Sequence, residues 1–395
     1  MQYVQTLKQK FTEDEWLLLI PFLSFSLPAY ICVPILLIEA IYLLYTKKFQ
    51  TAYRNIKESK YLLIFCTFSL VISLLYQNWF GVACSVFMFI VAIILLYYRD
   101  HITKDIFSLA VEILIFSSIL WAIYAFYEYL QILDLLGYEH FVIRVFSRPE
   151  YRIHSVFFNA NYYAMMIEFI IIMIVYKIFT TSNKKRIPYY LMVVLINLAM
   201  LLLSGTRTAW PAIAAGVVTF LIINKNYKWC TLITIIGIMI VGYFSMNPSK
   251  LPRVEKLVSN YSTRKEIWSA SIAAIQDSPI IGKGPMTYYM IFAQYGGHAT
   301  EHAHSIYLDP ILSFGFGGIL LIIPYIYHNC KQLYMVYKHK LDRSLVALTI
   351  SCVVVTLIHG TLDYTVYFVH TGLLFLFITS AFSIYRTDYK DKERL

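Results

Sequence analysis

Apolar residues along this chain come in runs of about twenty, and the polar residues are pressed into short intervals between them. An α-helix rises 1.5 Å per residue, so a run of about twenty covers the roughly 30 Å hydrocarbon core of a bilayer. The runs predict helices near 16–45, 61–76, 80–97, 106–130, 161–179, 188–203, 208–224, 229–246, 306–327, 344–358 and 364–385. The first carries Pro21, Pro28 and Pro34, so it reads either as one kinked helix or as a short hairpin. The pattern therefore predicts an all-α polytopic membrane protein of eleven or twelve transmembrane helices, a single integral-membrane domain over residues 1–395.

Composition supports the pattern and narrows it. The hydrophobic set makes up 59% of the 395 residues and charged residues only 14%, with mean hydropathy +0.62. Soluble domains run at about 45–50% apolar and about 25% charged. A soluble enzyme, a disordered chain and a disulfide scaffold are excluded. Cys32, Cys66, Cys84, Cys230, Cys330 and Cys352 fall within or at the ends of helices, where they read as small apolar residues. No internal repeat, low-complexity tract or cleavable signal peptide is visible, and none of the Gly-rich nucleotide, zinc-protease or CxxC fingerprints occurs.

The net charge of +10 invites a nucleic-acid reading, but its distribution answers otherwise. With the C-terminus placed in the cytoplasm, segments 46–60, 98–105, 177–187, 224–228, 328–343 and 386–395 hold 21 of the 33 Lys and Arg residues. Ten lie in the outer segments, and Lys8 and Lys10 belong to an N-terminus whose side stays open. Lys and Arg mark the cytoplasmic side of membrane proteins. Lys47, Lys48, Lys184, Lys185, Arg386 and Lys390 are thus topology signals, and no nucleic-acid partner is expected.

Two outer segments, 131–160 and the large loop 246–305, are too long to be turns, and loops of that size carry function. Arg207 sits in the short break Ser204-Gly205-Thr206-Arg207-Thr208 between two apolar runs. It reads as a snorkelling cation or as a bidentate phosphate ligand, with Gly205 allowing close backbone approach. Arg253, Arg264 and Lys265 precede Trp268 and a helix expected over 264–275; Gly282-Lys283-Gly284 then forms a turn able either to cradle phosphate or simply to reverse the chain.

The run His298-Ala299-Thr300-Glu301-His302-Ala303-His304 follows. It supports three readings: a zinc site with Glu301 as base, one His acting on an acceptor hydroxyl, or a structural cluster. Arg152 on the other outer loop reads as a sugar or phosphate contact or as a plain surface cation, and His359 and Asp363, four apart, as a supporting pair.

From roughly 150 to 365 these residues resemble the O-antigen ligase and O-antigen polymerase superfamily of bacterial envelope glycosyltransferases. The likeness rests first on His304-Ser305, nine residues, then Gly315-Phe316-Gly317-Gly318. It extends to Ser204-Gly205-Thr206-Arg207 in a short outer turn, Arg264 before Trp268, and the turn of Pro279, Gly282 and Gly284. The family's Asn-Pro-Asn element is altered here to Asn159-Ala160-Asn161. The resemblance implies a GT-C-like fold and a metal-independent, inverting glycosyl transfer on the outer face, with no cofactor. Its donor would be an oligosaccharide on undecaprenyl pyrophosphate, with Arg207 and Arg264 on the pyrophosphate and His304 as base. His302, Arg152, Asn159, Asn161, Gly282, Gly284, Trp268, His359 and Asp363 would support them.

The location expected is the bacterial cytoplasmic membrane, with membrane lipid around the helices and a flippase or chain-length regulator as a candidate partner. Lys outnumbers Arg 21 to 12, as an AT-rich coding sequence gives. A Gram-positive source would offer no lipopolysaccharide acceptor, so a capsular or exopolysaccharide polymerase is preferred. A ligase onto lipid A-core, cell wall or protein is the alternative. A transporter or flippase of lipid-linked sugars is a third reading; it would need no His base, and the chain shows no paired halves of the kind transporters carry.

Overall fold

The computed structural model describes residues 12–140, 143–248, 253–386 and 388; Lys8, Lys10, Lys250, Lys390, Lys392 and Arg394 lie outside them. Among the described residues the chain is all helix and connecting loop, with no strand. It is a multi-pass membrane protein. Trp79–His101, Lys104–Leu135, Ala160–Thr180, Lys184–Ser204, Tyr227–Met246 and Leu308–Lys338 are each long and apolar enough to cross a bilayer. Ala29–Tyr45 with Lys48–Asn55 makes a seventh if the pair, bent by 80°, counts as one span. Ser59–Leu75, Ala209–Ile223, Arg343–His359 and Val369–Tyr385 are apolar but shorter. With the bent pair and these four included, the described residues reach the eleven spans expected.

The expected runs match the helices to within a few residues at most ends, because charge and proline delimit both. The run expected to end at 327 continues to Lys338, and the first run departs most. It breaks into Glu13–Leu17, Ile20–Ser24 and Ala29–Tyr45, with Pro21 in the first turn of the second piece and Pro28 capping the third. Pro34 is accommodated inside the third.

Ala160–Thr180 is the centre of the bundle. Of its most apolar stretch 78% is buried, against none of Tyr227–Met246, which packs on the periphery with its surface free for lipid. Ala209–Ile223 and Arg343–His359 pack most extensively of all, and Gly216 explains the close approach. A Cβ there would lie 2.5 Å from Val355 and 2.9 Å from Ile172 of the central helix.

A second contact fixes the geometry of the large loop. The helix Leu308–Lys338 breaks at Gly315, whose φ of 61° and ψ of 178° are non-helical. The segment 279–285 docks into the break: Phe316 N–H donates to Pro279 O at 2.8 Å, Gly317 N–H to Ile280 O at 2.7 Å, and Gly284 N–H to Ser313 O at 2.7 Å. A Cβ on Gly282 would meet the Ser313 carbonyl at 2.5 Å, so both turn glycines are needed for close approach. Asn78, capping Trp79–His101, holds the same turn from the other side through Lys283 O and Pro285 O at 3.1 and 2.7 Å.

The loop's own helix is Leu257–Asp277, longer at its start than the expected 264–275. Its Ile267, Ala270 and Ala274 pack with Tyr288, Ile291, Ala303 and Leu312 into a small apolar cluster. Contact with Leu312 seats the large loop on the helix Leu308–Lys338, directly beside His304.

Candidate active site

His304 is the most constrained residue of the loop. Its φ of 46° lies in the left-handed region, which costs a side-chain-bearing residue of order 1–3 kcal/mol. Contacts on both sides hold it there. Ala303 N–H donates to Asp309 Oδ2 at 2.7 Å, Ile306 N–H donates to Gly360 O at 2.8 Å, and His304 N–H itself donates to His302 Nδ1 at 3.2 Å.

The imidazole is aimed by two partners. Nδ1 lies 3.0 Å from Asp363 Oδ1, and Nε2 lies 3.1 Å from Thr300 Oγ1. An ionised carboxylate only accepts, so Nδ1 carries the proton and Nε2 offers its lone pair to a hydroxyl. The side chain is 26% exposed while Asp363 is 4% exposed, so the base faces outward over a buried carboxylate.

Both oxygens of Asp363 are engaged. Oδ1 also accepts Tyr364 N–H at 2.8 Å, and Oδ2 accepts from the Asn161 amide. Burial alone would raise its pKa, but His304, the bond to it, His302 and His359 hold it well below the usual carboxylate range. His302, 3.7 Å from the same oxygen, moves the other way: burial, then the charge of His304, pushes it down to about 4.

Four arginines surround this pair. Arg152 donates to Ser204 O and Thr206 Oγ1, both at 2.7 Å, and to Asn161 Oδ1 at 2.9 Å. Arg207 and Arg253 clasp each other through the backbone: Arg207 donates to Arg253 O at 3.0 Å, and Arg253 donates to Gly205 O at 2.8 Å. Gly205, at φ 65°, leaves room for Arg253, whose Cδ would lie 3.2 Å from an added Cβ. Arg264 places two donors on Leu362 O, at 3.0 and 2.7 Å, next to Asp363.

The cations feel one another. Burial, and then Arg253, with Arg207 and Arg264 contributing, lowers Arg152 to about 9 against the pull of Asp363. Burial and neighbouring guanidinium charge lower Arg207 and Arg253 as well, and burial lowers Arg264. A guanidinium keeps its proton in a protein. The lowering therefore registers crowding of positive charge that a bound anion relieves. Among the described residues, the acids that act on these four arginines are Asp363 and the exposed Glu255.

Several residues singled out in the sequence take structural parts instead. Asn159 caps the central helix, accepting from Asn161 N–H and Tyr162 N–H at 2.8 and 3.1 Å. Gly282 and Gly284 spend their amides on Ser278 O and Ser313 O, so the turn is not a phosphate cradle. Trp268 packs in the loop's apolar cluster. His359 does not bond Asp363: its Nδ1 meets Glu168 Oε1 at 2.5 Å, both side chains fully buried, and its Nε2 lies 3.5 Å from Thr208 Oγ1.

The sequence noted Arg253 without giving it a role; an Arg just after an outer helix end was the available signal. Thr300, Asp309 and Glu168 were missed, and only Asp309, five residues past His304 in a first helical turn, carried a local cue.

The donor set that could hold a metal is also not the one the His run suggested. Ligand atoms of His302, His304 and Asp363 lie within 4.8 Å of one another, whereas His298 is engaged through its carbonyl with Tyr288.

None of the curated proteins matches the chain. Residues 191–323 match the family model described as O-antigen ligase, a stretch that holds Arg207, Arg253, Arg264, the 279–285 turn, His304 and Gly315. Over those residues the chain is similar to the O-antigen ligase family.

Proposed function

We propose that the protein is a glycosyltransferase of the bacterial cytoplasmic membrane, C-terminus inside. It joins oligosaccharide repeat units, carried on undecaprenyl pyrophosphate, into a capsular, exo- or O-antigen polysaccharide at the outer face. The observation that carries the reading is a single outward-facing base, His304 on Asp363, set beside four converging guanidinium groups.

His304 Nε2 takes the proton of the acceptor hydroxyl as its oxygen attacks the anomeric carbon. The bond from that carbon to the pyrophosphate oxygen breaks, and its electron pair leaves on the lipid pyrophosphate. Arg207 and Arg264, with Arg253 and Arg152 behind them, receive that charge in a place where water is scarce. One in-line displacement inverts the anomeric configuration. Asp363 keeps the imidazole in its basic tautomer and stabilises the imidazolium that forms. The donor is already activated, so the chemistry calls for neither nucleotide nor metal. Activity that survives EDTA supports this, and loss restored by zinc would assign His302, His304 and Asp363 to a metal.

Ligation of a finished glycan onto a separate anchor is the second reading, favoured by the description of the matching family. Reconstitution with lipid-linked repeat units alone separates the two. A ladder of polymer without a second acceptor supports polymerisation; no product until an anchor is added supports ligation.

A further inference from the structure

The end of the bundle opposite His304 carries its own unassigned feature. The helix Ser59–Leu75 joins the two ends: it starts beside Glu58, in contact with Arg99 and Gln332, and its last turn leads to Asn78, on the 279–285 turn. Between this helix and Leu308–Lys338 lies an open groove of about 520 Å³. Leu63, Ile64, Phe68, Val71 and Leu321 make it apolar, and Tyr53 and Lys60 line its mouth.

Charge at that mouth is one-sided. Arg54, Lys57 and Lys60 are exposed, and among the described residues none of the three pairs with a carboxylate. The nearby acids are engaged elsewhere: Asp14 with Lys48, Glu58 with Arg99, Asp100 with Arg386. Lys48–Asn55, bent by 80° from the span before it, brings Tyr53 to the rim, with exposed Arg54 next to it in the chain. An apolar trough in the membrane with unpaired cations at its headgroup end is the chemistry of an anionic lipid: acyl chains fill the groove, and a phosphate meets the cations.

We propose that this groove is a binding site for an anionic glycerophospholipid of the cytoplasmic leaflet, gripped by Lys60 with Arg54 and Lys57. The site also touches the catalytic scaffold. Phe68 forms part of the groove and packs on Gly318, where an added Cβ would lie 2.7 Å from its ring, three residues past the Gly315 break. A lipid there braces the helix that positions the His304 loop.

Full-length protein, purified in detergent and exchanged into nanodiscs of phosphatidylcholine doped with phosphatidylglycerol, tests the proposal by quantifying phosphatidylglycerol retained on re-extraction. Wild type is expected to enrich phosphatidylglycerol over phosphatidylcholine. Lys60→Gln should lower its apparent affinity about fivefold, the effect of one cation near an anionic lipid surface. Lys60→Arg should retain it. Thr67→Trp fills the groove without touching the charges and should lower retention as well. Equal retention of both lipids by wild type overturns the proposal, as does wild-type retention by Lys60→Gln, or by Thr67→Trp in a monodisperse, helical preparation.

Discussion

The Arg207–Arg253 clasp makes a specific statement about substrate binding. Arg253 reaches Gly205 O and Ser147 O while its own carbonyl anchors Arg207, so backbone carbonyls of three segments hold the two guanidinium groups in one place. Arg253→Ala is expected to raise the donor KM at least tenfold, the effect of losing a charge-assisted contact of about 1.5–3 kcal/mol, with little change in acceptor KM. Initial rates at varied donor and acceptor check it; an equal effect on both substrates would contradict the assignment.

His302 gives a pH signature. Folded, it titrates near 4 rather than at its ordinary 6.5, because burial and His304 oppose its charge. Between those values the unfolded chain binds a proton that the folded chain refuses. The stability it contributes is therefore complete above 6.5 and is lost as pH falls towards 4. Melting in detergent should show that loss in wild type and a smaller one in His302→Gln over the same window.

The docked turn and broken helix form a unit whose logic was only half legible. The sequence exposed the glycines of 279–285 and of 315–318 and their order, but not that one set exists to receive the other. That pairing is a backbone contact between segments thirty residues apart, and no local period or propensity encodes it. The same holds for His304: the run of three histidines was visible, whereas selection of Asp363 and Asn161 as its supports depends on loops meeting at one end of the bundle. The bond His359 makes was hidden for that reason, since spacing of four from Asp363 says nothing about Glu168 on another helix. Gly315→Ala places a Cβ against the Ile280 backbone at positive φ. It is expected to cost at least about 2 kcal/mol and to lower activity with it. Thermal melting checks the first effect, and a near-wild-type melting point would show that the break tolerates a side chain.

Across the whole molecule, the helical bundle was nearly complete in the hydrophobic pattern, because the bilayer imposes length and apolarity on each span directly. What the pattern could not give was the packing order, with Ala160–Thr180 central and Tyr227–Met246 peripheral, since the two are alike in mean hydropathy. Nor did it show the buried hub that ties the opposite end together. There Arg99 donates to Glu58 at 2.6 Å, Tyr325 at 3.1 Å and Ser383 at 3.3 Å, joining four segments distant in sequence. Arg99→Met leaves the buried Glu58 without its cation, with the Gln332 amide still on it, and should cost about 3–5 kcal/mol, while Arg99→Met with Glu58→Met should recover most of it. Melting of the single and double variants reads the difference, and additive losses would refute the coupling.

Chemistry and fold meet in one measurement: single-turnover release of undecaprenyl pyrophosphate from a lipid-linked repeat unit by purified wild-type protein and by His304→Ala, both shown to be inserted and monodisperse. The expected result is release coupled to glycan extension in wild type and a rate lower by about 10²–10⁴ in the variant, the usual contribution of a general base. Equal rates would remove His304 from the chemistry, and a wild-type protein that moves the lipid-linked unit across the membrane without releasing pyrophosphate would replace the transferase with a transporter.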